Sequence, residues 1–217
     1  YGLATLPMNM PERAIREVKR IVQQKGIVGF CIATCIERRD LSNPVFLDVF
    51  AAIEACDLPL FLHPVSVIGS KRLTAHYLTN LLGNPLETGI AAAHLIFGGV
   101  LDRFPRLRVV LPHAGGVFPW LLGRMCRGFE KRPELRTMQL PPNQYVRRFW
   151  FDTIGYSHEV IDYMVAVVGA DRLLMGSDYC YPMAEESPQK GIDTHPRLSD
   201  ADKLLVLEEN AKKLFNL

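Results

Sequence analysis

Three polar residues stand where apolar runs end. His63 closes Leu60-Phe61-Leu62, His113 follows Val110-Leu111-Pro112 and precedes Ala114-Gly115-Gly116, and Asp178 follows Leu174-Met175-Gly176-Ser177. Imidazole is a good ligand for Zn2+ and similar ions, and a carboxylate adds an oxygen donor, so His63 and Asp178 could share a metal. Two ligands alone hold a catalytic zinc poorly, because such sites usually have three protein ligands and an open position. The same pair could simply be hydrogen-bonded where the chain leaves the strands. His113 suits a general base, since imidazole titrates near neutral pH. The small residues after it let backbone and substrate approach closely. Capping the next helix is the simpler use for it. Asp178 could hold a metal, orient a water or cap a helix.

The remaining histidines carry weaker signals. His76 and His94 fall in helical patterns and His158 follows Ser157 at a helix start, so packing or surface roles are expected. His195 lies in a proline-rich stretch and is expected to be solvated. The five cysteines (Cys31, Cys35, Cys56, Cys126 and Cys180) are odd in number, and no pair has zinc-ribbon spacing. They read as buried free thiols of a reducing, cytoplasmic setting.

The elements that must position these groups alternate along the chain. Strands are predicted over Gly2–Leu6, Ile27–Ala33, Leu58–Leu62, Arg108–Leu111, Phe149–Thr153 and Arg172–Gly176. Helices are predicted over Pro11–Gln24, Pro44–Cys56, Val117–Phe129, His158–Val168 and Ser199–Phe215, with a mostly helical section from Lys71 to Phe104. Pro11 at a helix start and Gly26 beyond its end are typical punctuation. Near-continuous apolar strands between helices indicate a buried parallel sheet, either an open doubly wound sheet or a (β/α)8 barrel. Barrel enzymes gather reactive side chains at the C-terminal ends of several strands. Here four successive strands end on His63, His113, Asp152 and Asp178, which favours the barrel. No glycine-rich phosphate loop opens a helix, which weakens the nucleotide-binding architecture. Six strands are found where a barrel needs eight, so two βα units are expected upstream of Tyr1.

Composition bounds the rest. The chain has 217 residues, 48% hydrophobic and 22% charged, which suits one globular domain spanning 1–217. A net charge of +2 is too small to make nucleic acid or an anionic membrane the expected partner. No signal peptide is recognisable, and no apolar run is long enough to span a membrane.

The motifs also resemble a known family. His63-Pro64, His113-Ala114-Gly115-Gly116 and Gly176-Ser177-Asp178-Tyr179 stand in the order and spacing of the amidohydrolase-related (amidohydrolase family 2) enzymes, in their aminocarboxymuconate-semialdehyde decarboxylase-like branch. Ala4-Thr5-Leu6-Pro7, Leu82-Gly83-Asn84-Pro85-Leu86-Glu87-Thr88, Phe97-Gly98-Gly99-Val100 with Phe104-Pro105, Phe118-Pro119 with Gly123-Arg124, and Gly128-Phe129 with Arg132-Pro133 extend the resemblance over the whole chain. It implies a metal-dependent TIM barrel with one divalent ion, usually zinc, with manganese as the alternative. His63 would be the ligand after strand five and Asp178 the ligand after strand eight. His113 would be the acid/base beside a metal-activated water. Arg124 would reach the carboxylate of a small substrate across a homodimer interface, and Tyr77 stands where the decarboxylase has a pocket tryptophan. The family also has a His-x-His ligand pair after strand one. No such pair occurs here, in line with the six-strand count.

The implied activity is a non-oxidative, metal-dependent decarboxylation (carboxy-lyase) of an unsaturated or aromatic carboxylic acid, with no organic cofactor. Hydrolysis of a lactone or amide by the same machinery is one alternative. An inactive barrel fragment is the other.

Overall fold

Side-chain alternation along the strands decides what reaches the site. The computed structural model describes residues 1–217. Its strands are β1 (Gly2–Thr5), β2 (Ile27–Ala33), β3 (Cys35–Ile36), β4 (Arg39–Asp40), β5 (Leu60–His63), β6 (Val109–Leu111), β7 (Phe149–Asp152) and β8 (Leu173–Leu174). Six of them form one parallel sheet in chain order, β1-β2-β5-β6-β7-β8, while β3 and β4 make a small antiparallel hairpin. Successive side chains of a strand point to opposite faces. Leu60, Leu62, Val109, Leu111, Phe149, Phe151 and Leu173 join the main core of 41 buried residues. Their neighbours Val110, Trp150 and Leu174 form a separate cluster, with Phe61 packed against it. His63 shares a face with Phe61, and Asp152 with Trp150. The polar ends of β5 and β7 therefore lie on the second face, at the C-terminal edge.

The helices cover the first face. They are α1 (Pro11–Ile21), α2 (Leu47–Ala55), α3 (Asn84–Phe97), α4 (Val100–Arg103), α5 (Phe118–Lys131), α6 (His158–Val168), α7 (Pro188–Asp193), α8 (Asp200–Leu204) and α9 (Asn210–Phe215). In α1, Pro11 opens the first turn, Lys19 and Arg20 close the last, and Ala14, Val18 and Ile21 are buried at helical spacing. Ser157 caps α6 by accepting the Val160 N–H at 3.3 Å. Helix α9 lies elsewhere: Leu214, Ala211 and Phe215 pack on the second face against Val110, Trp150 and Leu174.

Most predicted elements form, with differences that have local causes. The helix expected from Pro44 begins as a 3-10 turn, Pro44–Phe46, capped by Asn43. The closing helix holds a π turn at Leu205–Glu209. The last strand shrinks to Leu173–Leu174 because its next two amides leave the ladder. The Met175 N–H donates to the Val206 carbonyl at 3.0 Å, and the Gly176 N–H to Thr153 Oγ1 at 3.2 Å. His76 sits in a turn with φ 55°, not in a helix. No helix is long and apolar enough to cross a membrane.

The buried Asn210 ties the C-terminal helical run to the sheet. Its amide donates to the Ala170 and Leu173 carbonyls at 2.8 and 2.7 Å. Asn210→Leu removes this donor from both carbonyls; the Ala170 carbonyl still accepts the Leu173 N–H, and an acceptor left unpaired costs about 1–3 kcal/mol. Urea unfolding should show a loss of roughly 1–3 kcal/mol on the same basis; a loss under about 0.5 kcal/mol would mean that the tie is dispensable.

Candidate metal centre

Four consecutive residues, His113, Ala114, Gly115 and Gly116, have positive φ (57°, 50°, 77° and 58°). A non-glycine residue in that region costs roughly 1–2 kcal/mol, so something must hold His113 and Ala114 there. Asp152, the last residue of β7, does so. Its Oδ2 accepts the His113 N–H at 3.0 Å, and its Oδ1 accepts the Ala114 and Ile154 N–H groups at 2.8 and 3.0 Å. These are charge-assisted bonds, roughly twice as strong as neutral ones. Two glycines must follow, because a Cβ at Gly116 would collide with the Pro85 carbonyl and one at Gly115 with the Phe151 ring.

The turn aims the His113 ring at its neighbours. Ligand atoms of His63, His113 and Asp178 all lie within 4.8 Å of one another. The two imidazoles meet edge-on, with centroids 5.6 Å apart and planes at 67°. Burial, aided by the nearby His63, lowers the His113 pKa to about 4, so its ring is neutral at pH 7. Its Nδ1 is buried without a hydrogen-bond partner. Burial raises the Asp178 carboxyl, and His63 pulls it back down. Burial raises the Asp152 carboxyl to about 6, against the three N–H groups that favour its charged form. The His63 imidazole and the Asp178 carboxylate are donors a divalent ion takes, and the neutral His113 ring stands beside them with an idle nitrogen. The residues present fit such an ion.

The three groups line a cavity of about 360 Å3 whose wall includes Phe61, Asp152 and Tyr181. The Tyr181 ring stacks on His63, with centroids 6.1 Å apart and planes at 12°. Beyond that pair lies a second hollow of about 510 Å3, lined by Leu6, Met8, Cys31 and Cys35.

The three residues read first from the sequence thus converge, whereas Arg124 and Tyr77 do not join them. Arg124 is exposed on α5 and makes no ion pair or hydrogen bond. Tyr77 is 48% exposed. Neither lines the cavity. His94 packs as expected, bound to Ser42 Oγ at 2.8 Å and 3.3 Å from Asp40. His195, expected in solvent, is buried. Its Nδ1 accepts the Arg197 and Leu198 N–H groups, each at 3.3 Å, which folds the proline-rich stretch over the ring. The cysteines are all free, yet none is fully buried, and Cys180 is exposed. Asp152 was legible only as a strand end, although its period-2 relation to Trp150 already put it on the second face. Tyr181 carried no signal, because an irregular segment places it.

The amidohydrolase family model matches residues 1–217. The chain is 33% identical over 218 residues to the 2-amino-3-carboxymuconate-6-semialdehyde decarboxylase of Dictyostelium discoideum, an alignment covering all of this chain and 61% of that protein. The crystal structure of 5-carboxyvanillate decarboxylase from Sphingomonas paucimobilis superposes with a TM-score of 0.91 at 30% identity, over 100% of this chain and 66% of that one. A dihydroxybenzoic acid decarboxylase from Polaromonas sp., solved with bound manganese and 2-nitroresorcinol, has the same fold, with a TM-score of 0.88 at 24% identity, over 100% of this chain and 69% of that one. The chain therefore spans less than two thirds of the first two proteins.

Asp152→Asn keeps the size of the side chain but turns an NH2 towards one of the three N–H donors. It should cost about 1–3 kcal/mol in urea unfolding. The pH dependence carries its own sign. A folded-state pKa of about 6 against 3.8 means that this group's stabilisation is full below pH 3.8 and is lost as pH rises through 6. In the metal-free protein Asp152→Asn should flatten that fall; an unchanged slope would assign it to other groups.

Proposed function

The chain belongs to the amidohydrolase family, and on that premise we propose that residues 1–217 form the catalytic domain of a metal-dependent, non-oxidative decarboxylase, a carboxy-lyase for an unsaturated or aromatic carboxylic acid. The observation that carries this reading is the convergence of His63, neutral His113 and Asp178 on one cavity walled by aromatic rings. The similarity to decarboxylases of such acids supports it.

Each residue has a distinct task. His63 and Asp178 hold one divalent ion, zinc or manganese; the bound manganese of the Polaromonas enzyme supports the second. Such an ion supplies positive charge that polarises the oxygen it touches. His113, neutral at pH 7, takes up a proton and delivers it to the carbon that loses the carboxylate. That carbon's bond to the carboxyl group breaks, carbon dioxide leaves, and the electron pair is retained in the new C–H bond. Phe61 and Tyr181 keep the cavity apolar around the substrate ring. Arg124, exposed and unpaired in its own chain, suits a substrate carboxylate in a neighbouring copy, which makes the enzyme a homodimer. Tyr77, half exposed outside the cavity wall, is assigned to the substrate rim on the family resemblance alone. Five free thiols support a reducing compartment such as the cytoplasm.

The test uses the complete protein with aromatic and unsaturated carboxylic acids, scoring carbon dioxide release. Release with loss of one carboxyl group supports the reading; hydrolysis of lactones or amides without it would replace it. His63→Ala should lose the ion by elemental analysis, and full occupancy would remove His63 as a ligand. His113→Ala should retain the ion and lose about 10²–10⁴-fold in rate. Near-normal turnover would leave His113 no part in proton transfer.

A further inference from the structure

The segment Gly176–Ser187 carries Asp178 and contains neither helix nor strand. Much of its hydrogen bonding is internal: Tyr181 N–H to the Asp178 carbonyl at 3.0 Å, Ala184 N–H to the Tyr181 carbonyl at 3.0 Å, and Glu185 N–H to the Ser177 carbonyl at 2.8 Å. Asp178 itself has φ 55°, so its pose is not one the local backbone favours. Only two side chains from elsewhere hold the segment by hydrogen bonds. Thr153 Oγ1 takes the Gly176 N–H at 3.2 Å, and the Tyr156 hydroxyl donates to the Met183 carbonyl at 2.7 Å. Thr153 fixes the start of the segment. Tyr156 fixes it beyond Asp178, so the carboxylate lies between two tethers.

Tyr156 is well mounted for this task. It sits in the short turn joining β7 to α6, where the Gly155 N–H donates to the Thr153 carbonyl at 2.8 Å. That turn presses on α6 so closely that a Cβ at Gly155 would collide with Val160. Tyr156 has φ 57°, a second left-handed residue held by its surroundings. Tyr156 is half exposed; partial burial, then the charges of Asp178, Asp152 and Glu185, push its phenol above the usual tyrosine range, so it stays an O–H donor.

We propose that Tyr156 is a positioning residue: its bond to the Met183 carbonyl holds the Gly176–Ser187 segment so that Asp178 faces His63 and His113. The proposal rests on the reading of those three residues as a metal centre. Freed of this tether, Asp178 would sample other directions, and an ion would have to order the segment on binding. The hydroxyl's bond is to the Met183 carbonyl, so its effect should appear first in metal affinity.

The experiment titrates Mn2+ into the metal-free complete protein and follows free Mn2+ by electron paramagnetic resonance. Tyr156→Phe removes only the hydroxyl. Its Kd for Mn2+ should rise about 3–10-fold, the worth of one hydrogen bond. The melting temperature of its metal-free form should stay within a few degrees of the parent's. Met183→Ala keeps the accepting carbonyl and should bind Mn2+ like the parent. An unchanged Kd in Tyr156→Phe would overturn the proposal. So would a metal-free form that melts far lower, since the hydroxyl would then serve the fold at large, or a Met183→Ala variant weakened as much as Tyr156→Phe. A parent protein that binds no Mn2+ would instead overturn the metal-centre reading, and this proposal with it.

Discussion

A carboxylate taken out of water, Asp152, is the constraint on which the site depends. It accepts three backbone N–H groups, from His113, Ala114 and Ile154, at 2.8–3.0 Å. Two of them belong to residues in a backbone region that side chains avoid. Without an acceptor those amides would be buried and unpaired, and the turn after β6 would relax towards an ordinary helix start. With it, the chain bends sharply enough to bring the His113 ring against His63. The bend also drives Gly115 and Gly116 against Phe151 and Pro85, which explains two glycines in succession. One interaction between neighbouring strands thus sets the direction of the His113 ring, a loop shape and a pair of residue identities.

Parallel strands make this economical. Pairing in chain order places the C-terminal ends of β5, β6, β7 and β8 side by side at one edge. Alternation then separates their duties. Leu62, Leu111 and Phe151 bury into the helix-covered core, while His63 and Asp152 share the other face with Phe61 and Trp150. The same short strands thus both bury the core and carry the polar ends to one edge. The protonation state of His113 follows from its surroundings. A ring desolvated and beside a second imidazole does not hold a proton at pH 7.

Much of this was legible in the sequence because it rests on periodicity and on strand ends. The bounds of β2 and α6 match the apolar pattern residue for residue. His63, His113 and Asp178 were legible because each terminates an apolar run. What was hidden depends on contacts between segments distant in sequence. His195 reads as a loop residue, yet it is buried by amides that its own loop brings back to it. The short last strand follows from a carbonyl of the C-terminal helical run and a hydroxyl on the preceding strand's exit. Tyr156 and Tyr181 act from irregular backbone, where no period marks a direction. Arg124 stays unexplained within one chain, since nothing on its own subunit meets it.

His63, His113 and Asp178 are proposed to surround one divalent ion. Crystals of the complete protein grown with Mn2+, with diffraction recorded on both sides of the manganese absorption edge, test it directly. One anomalous peak should appear in the cavity between these side chains, with the His63 nitrogen and an Asp178 oxygen both at bonding distance. A fully occupied ion elsewhere, or a cavity without anomalous signal at saturating Mn2+, would contradict it.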